Sequence, residues 1–179
     1  FKGMIDLVDQ QALVWDSDDK DAKWQVIDVS DGKGLADKLG ITVPSDRKIL
    51  DDYAKYRSEL VDTALEMDHD AMEKYLTDDV PPTPDVLRAC IRKGVITSAF
   101  NPVLCGSSYK NKGVQQLLDA VVDYMPAPTD VEAIKTVDAD GNPIGERKTS
   151  DDEPFSGLAF KVINDIYGAL TFVRVYSGV

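Results

Sequence analysis

Apolar residues return every three or four positions through the middle of this 179-residue chain, at Ile49, Tyr53, Tyr56, Leu60, Ala64 and Met67. That period places one face of a helix in a core. Ser45 stands where an N-cap belongs, and Asp51, Asp52, Lys55, Glu59 and Asp62 fall on the other face, which is therefore mostly acidic. Asp68 is expected to cap a short second helix with Ala71, Met72, Tyr75 and Leu76 inward. Pro81 and Pro82 interrupt the pattern. Thr83 followed by Pro84 then starts a third helix that buries Val86, Leu87, Cys90 and Ile91 and ends at Gly94.

Both flanks read differently. Residues 4–8, 12–15 and 24–29 are short β-rich runs, with 16–21 an acidic, solvated hairpin tip. Residues 102–105, Pro-Val-Leu-Cys, read as a buried strand, and a Gly-Ser-Ser loop over 106–113 follows. Next comes a strongly amphipathic helix with Val114, Leu117, Leu118, Val121, Val122 and Met125 on its inner side. Pro126 and Pro128 stop it and open a polar stretch that contains a turn signal at Asp140-Gly141. Strands over 158–163 and 170–176 flank a turn at 164–168. A lone hairpin is marginal in water, so this last piece is expected to belong to a larger sheet.

The formal charge is 20 minus 32, or −12, with a pI near 4.4. Neutralising phosphates needs a basic face, so the balance excludes a free-standing nucleic-acid binder. No run approaches the ~20 apolar residues of a membrane span, and residues 1–4 carry no long apolar stretch of signal-peptide type. The cysteines, Cys90 and Cys105, fit buried thiols in a reducing compartment, which points to a cytoplasmic protein.

The chemistry-bearing motifs are mostly negative. A strand, a Gly-Ser-Ser loop and a helix is a layout in which α/β proteins set ligand contacts, but also an ordinary turn. Gly32-Lys33-Gly34 lacks the earlier glycine and the Ser or Thr of a phosphate loop. Asp-x-x-Gly starts at Asp31, Asp37, Asp138 and Asp165, and with 26 aspartates about two such matches arise by chance. Asn111-Lys112-Gly113-Val114 has valine where a guanine reader needs a carboxylate to accept from the base. The Asp16/Asp18 and Asp138/Asp140 alternations carry Asp21 and Pro143 where a calcium loop requires glycine. His69, the one histidine, permits neither a His-based metal cluster nor a Ser-His-Asp triad. No catalytic constellation survives, and no metal ligands are assigned.

Longer segments carry a more specific signal. Residues 103–115, Val-Leu-Cys-Gly-Ser-Ser-Tyr-Lys-Asn-Lys-Gly-Val-Gln, with 117–128 continuing without a gap, resemble the last guanine-nucleotide motif of the elongation factor G family of translational GTPases. Residues 150–161 and 170–178 are similar to the first strands of that family's second domain, and 1–7 to the opening of a subdomain inserted late in its GTPase domain. The resemblance runs the whole chain in the family's order. It implies an α/β (α+β) architecture in four parts: an inserted α+β subdomain over 1–97, the last strand and helix of a P-loop GTPase domain over 98–128, a linker over 129–150, and the start of a β-barrel domain over 151–179.

The function it implies is that of a ribosome-dependent GTPase promoting movement of tRNA and mRNA in protein synthesis, using GTP or GDP with Mg. The phosphate loop, switches and guanine-reading motif would precede residue 1, so these 179 residues alone are expected to be inactive and to need no cofactor. One nucleotide contact is carried over, at Ser107, Ser108 and Tyr109: the backbone N–H of the middle residue meets the guanine O6 and the first serine braces the loop. Ser108 departs from the family's alanine there. The implied partners are the ribosome and the C-terminal domain of its stalk protein, the latter docking on the helix expected over 45–68. Two other readings stay open, a paralogous ribosome-protection or peptide-release GTPase and a non-enzymatic acidic interaction module.

Overall fold

A computed structural model of the chain describes residues 2–31, 37, 39, 40 and 48–179, with only the backbone of Leu50 and Asp51. It is a mixed α+β structure that divides into two compact units, 1–125 and 126–179. The expected cap at Ser45 and the side chain of Asp51 lie outside the described residues.

The first unit opens on a three-stranded antiparallel sheet in the order β1 (Gly3–Asp6), β2 (Gln11–Trp15), β3 (Trp24–Asp28). Its register sets Met4 opposite Leu13 and Trp15 opposite Trp24. The β1–β2 turn is closed by the Asp6 carboxylate, which accepts from the N–H groups of Val8 (2.7 Å) and Asp9 (3.0 Å). Three helices follow: α1 (Lys48–Leu65), α2 (His69–Asp78) and α3 (Pro84–Ile96). The Asp68 carboxylate caps α2 through the N–H groups of Asp70 and Ala71, both at 3.1 Å, and the Thr83 hydroxyl caps α3 through Val86 N–H at 3.4 Å.

The main core forms where α1 and α3 cross beneath the sheet's first turn, from Val8, Val61, Ala64, Leu65, Leu87, Cys90 and Ile91. Its stripe on α1 lies to one side of the expected one. Tyr53 and Ala64 are buried and Leu60 and Met67 half-buried, but Ile49 and Tyr56 are exposed, while Val61 and Leu65 are buried. Arg57, on the same 53–57–61–64/65 face, donates to Leu7 O at 2.5 Å and so joins that face to the segment after β1. A second cluster seats Tyr53 between Ala12 and Val29, its hydroxyl donating to Val29 O (3.3 Å) and accepting from Gln10 Nε2 (3.0 Å).

Three helix expectations are corrected. Leu76 is exposed, because α2 packs only through Ala71, Met72 and Tyr75. Gly94 does not end α3, which continues to Ile96; the glycine is buried, and the Phe100 ring lies where its Cβ would stand. The fourth helix, α4 (Val114–Tyr124), presents its apolar side outward, with Leu117, Leu118, Val121, Val122 and Met125 all exposed. It is held to α3 by its other side: Arg92 donates to the carbonyls of Asp123 (2.9 Å) and Met125 (3.1 Å) at its C-terminus, and Tyr124 packs on the main core.

No strand forms over 102–105, where Val103 is 95% exposed. A buried strand needs neighbours to take its backbone N–H and C=O groups, and among the described residues none lies alongside. Cys105 is accordingly exposed rather than a core thiol, whereas Cys90 is buried.

The second unit is built of two antiparallel hairpins, β4 (Ile134–Val137) with β5 (Pro143–Arg147), and β6 (Ser156–Asp165) with β7 (Gly168–Ser177). The first lies inside the expected linker over 129–150, so that segment is folded. Its turn is organised by Asp138, whose carboxylate accepts from the N–H groups of Asp140 and Asn142, both at 2.9 Å, with Gly141 at φ +87°. The second hairpin matches the expected strands and turn. Among the described residues no closed barrel is formed, and Leu158, Phe160, Val162, Leu170, Phe172, Val173 and Val175 are exposed.

Candidate functional site

The loop that carries Ser107, Ser108 and Tyr109 is a closed turn. Ser107 N–H donates to Lys112 O at 2.8 Å and Lys112 N–H returns to Ser107 O at 3.0 Å, an isolated antiparallel bridge. Between them a single 3-10 turn, Ser108–Lys110, ends on Asn111 in the left-handed region at φ +53°. Gly113 follows at φ +81°, with Met4 Cε, Cys105 O and Gly106 Cα within 3.2 Å of where a Cβ would lie, so both its backbone angle and the space require glycine. The turn's C-terminal donors are used: Lys110 N–H binds Ser107 O and Asn111 N–H binds Ser108 O, each at 3.1 Å.

The first N–H groups of such a turn, those of Ser108 and Tyr109, have no partner within it. Ser108 is exposed and Tyr109 is 78% exposed. The structure thus brings the three expected residues into one small loop. Such a loop can offer backbone N–H groups to a carbonyl or phosphate oxygen. His69 sits exposed at the start of α2, and among the described residues no group of three or more His, Cys, Asp or Glu side chains is placed to hold a metal ion.

Lys112, which the sequence offers only within the rejected guanine-reading motif, joins the loop to a remote segment. Lys112 is 2% exposed. Its ammonium donates to the Ser17 carbonyl and, at 3.3 Å, to Asp18 Oδ1, both in the tip between β2 and β3. The hydrogen bond and charge of Lys112 hold the exposed Asp18 carboxyl below its ordinary value. Two further contacts join the same partners: Asn111 Nδ2 donates to Lys20 O at 3.4 Å, and Lys20 Nζ stands 5.0 Å from the centroid of the Tyr109 ring. The acidic tip over 16–21 is exposed throughout, as expected, and Ser17, Asp18 and Lys20 in it also contact the 107–113 loop. Some 95 residues separate Lys112 from Ser17, and no periodicity or motif spans that gap.

No family model matches the chain. Among solved structures it is similar to a protein from Thermus thermophilus, known by a serial designation, with a TM-score of 0.62 at 21% identity. The likeness covers 99% of this chain and 21% of that one, so the chain spans about a fifth of the solved protein's length. At this identity the likeness is one of fold: the mixed α+β arrangement occurs as part of a much longer protein. No helix among the described residues is long and apolar enough to cross a membrane.

Proposed function

We propose that the chain is a segment of a translational GTPase of the elongation factor G type and that it contributes the last guanine-contacting loop, not the phosphate-binding machinery. The observation that carries this reading is the closed 107–113 turn. The residues of the family resemblance form one braced loop with the Ser108 N–H at its exposed start, where a backbone donor would meet a guanine carbonyl oxygen. Ser108, which carries the added hydroxyl, is an exposed residue.

The bare apolar sides of α4 and of residues 103–104 support the same reading. A helix face of this kind is stable in water only when something covers it, and the missing strands of a GTPase sheet would do so. The exposed carboxylates Glu59 and Asp62 on α1 suit docking of the stalk protein's C-terminal domain. In the intact factor, GTP or GDP and Mg would be held chiefly by residues outside this segment, and phosphoryl transfer would need their phosphate cradle and water-positioning group.

The test has two halves. The intact factor should hydrolyse GTP in a ribosome-stimulated manner, whereas the 179-residue chain should neither hydrolyse GTP nor bind labelled GDP at micromolar concentration. Absence of ribosome-stimulated turnover in the intact factor would refute the assignment, and saturable micromolar GDP binding by the segment would refute the division of labour.

A further inference from the structure

We infer that the β2–β3 tip is a positioning element for the nucleotide loop and that Lys112 is the residue through which it acts. This rests on the reading of 107–109 as a guanine contact and goes beyond it by assigning a second, remote element to that contact. An ammonium is retained in a nearly closed site only where acceptors replace its lost water. Lys112 supplies the case: its stem is buried, and its acceptors are the Ser17 carbonyl and Asp18, neither of which belongs to the loop that Lys112 shapes.

The backbone of the same residue makes both hydrogen bonds of the Ser107–Lys112 bridge. Side chain and main chain of Lys112 therefore tie the tip and the turn together at one position. Asn111 and Tyr109 add contacts to Lys20 on the same tip, so three of the loop's residues are held by one hairpin. Displacing the tip withdraws Lys112's acceptors and loosens the pairing that sets the Ser108 N–H. A contact so loosened loses a bound base faster without changing how fast it is met, which places the effect in the dissociation rate. In this assignment Lys112 acts through the loop and is a positioning residue.

The experiment measures dissociation and association of a fluorescent GDP on the intact factor in three variants. Lys112→Met keeps the stem and removes the charge. A second variant replaces residues 16–23 by Asn-Gly, a turn that closes a two-residue hairpin between Trp15 and Trp24 and removes the Ser17, Asp18 and Lys20 contacts together. The third combines both. Each single change should speed GDP dissociation roughly tenfold with association unchanged, and the combination should do no more than either alone.

Wild-type dissociation in the shortened-tip variant would overturn the inference, even if Lys112→Met failed to fold. Multiplying effects in the combined variant would overturn it as well, because the two would then act separately. Should the wild-type factor bind no GDP, the proposed function falls, and amide hydrogen exchange of Ser107 and Lys112 in the same variants still decides the tie. Exchange at those two amides should quicken in all three, and unchanged exchange would overturn it.

Discussion

Replacing Gly94 by alanine sets two opposed effects against each other, and the structure decides the sign. In an exposed helix interior, Gly→Ala stabilises by about 1 kcal/mol, because glycine loses more backbone freedom on folding. At Gly94 the new methyl would stand 2.2, 2.4 and 2.8 Å from Cζ, Cε1 and Cε2 of Phe100. Carbon atoms in good contact lie about 3.5–4.0 Å apart, so the ring must retreat by more than 1 Å. Phe100 is half-buried against the main core, and overpacking of that kind costs about 1–3 kcal/mol. The net expectation for Gly94→Ala is a loss of about 1 kcal/mol.

With Phe100→Ala in the background the obstacle is gone, and Gly94→Ala should then stabilise by about 0.5–1 kcal/mol. Urea unfolding followed by tryptophan emission reads this directly, since Trp15 and Trp24, the only two tryptophans, both lie in the first unit. A double-mutant cycle over the four proteins isolates the coupling, expected near 2 kcal/mol. If Gly94→Ala stabilised the wild-type background, or the coupling fell below about 0.5 kcal/mol, the argument from close approach would be refuted.

Three further outcomes follow from the same structure. Leu87, with no exposed surface, should lose about 3–4 kcal/mol on truncation to alanine in the same unfolding assay, whereas Leu76→Ala on exposed α2 surface should cost under about 0.5 kcal/mol. Cys105 should react with a thiol reagent in the folded chain, while Cys90, whose thiol is pushed up by burial, should react only on unfolding; mass spectrometry of the labelled peptides reads both. Asp138 is held below the ordinary carboxylate value by N–H donors from Asn142 first and then Asp140. Its folded value is the depressed one, so the stability it contributes is full above about pH 4 and is lost as pH falls through that lower value; NMR titration of its carboxyl should show a midpoint below 3.8.

Much of the local structure was legible because its causes are local. Caps at Asp68 and Thr83, the proline breaks, the β2–β3 hairpin and the turn before Gly168 all follow from residues within a few positions of one another. The polar stretch over 129–150 misled because its composition is that of a linker. Asp138 and Gly141 nevertheless make a turn tight enough to pair Ile134 with Arg147. Gly94 misled in the opposite way: a glycine that reads as a helix stop is there to admit a ring from six residues downstream.

The candidate loop divides along the same line. Ser107, Ser108 and Tyr109 were named through the family resemblance alone, and the structure sets them in one local turn that glycine at 113 permits. Lys112 could not be recognised as its anchor, because a lysine between Asn and Gly looks solvated until Ser17 and Asp18 are brought beside it. The sequence by itself determined which segments are helical, that Asp68 and Thr83 cap two of them, and that α4 is two-faced. Only the tertiary structure decided which face of α4 is covered, that residues 102–105 stay unpaired, and that the exposed acidic tip contacts the 107–113 loop. Periodicity states that a surface must be buried or paired, but the partner is chosen by contacts between residues far apart in the chain.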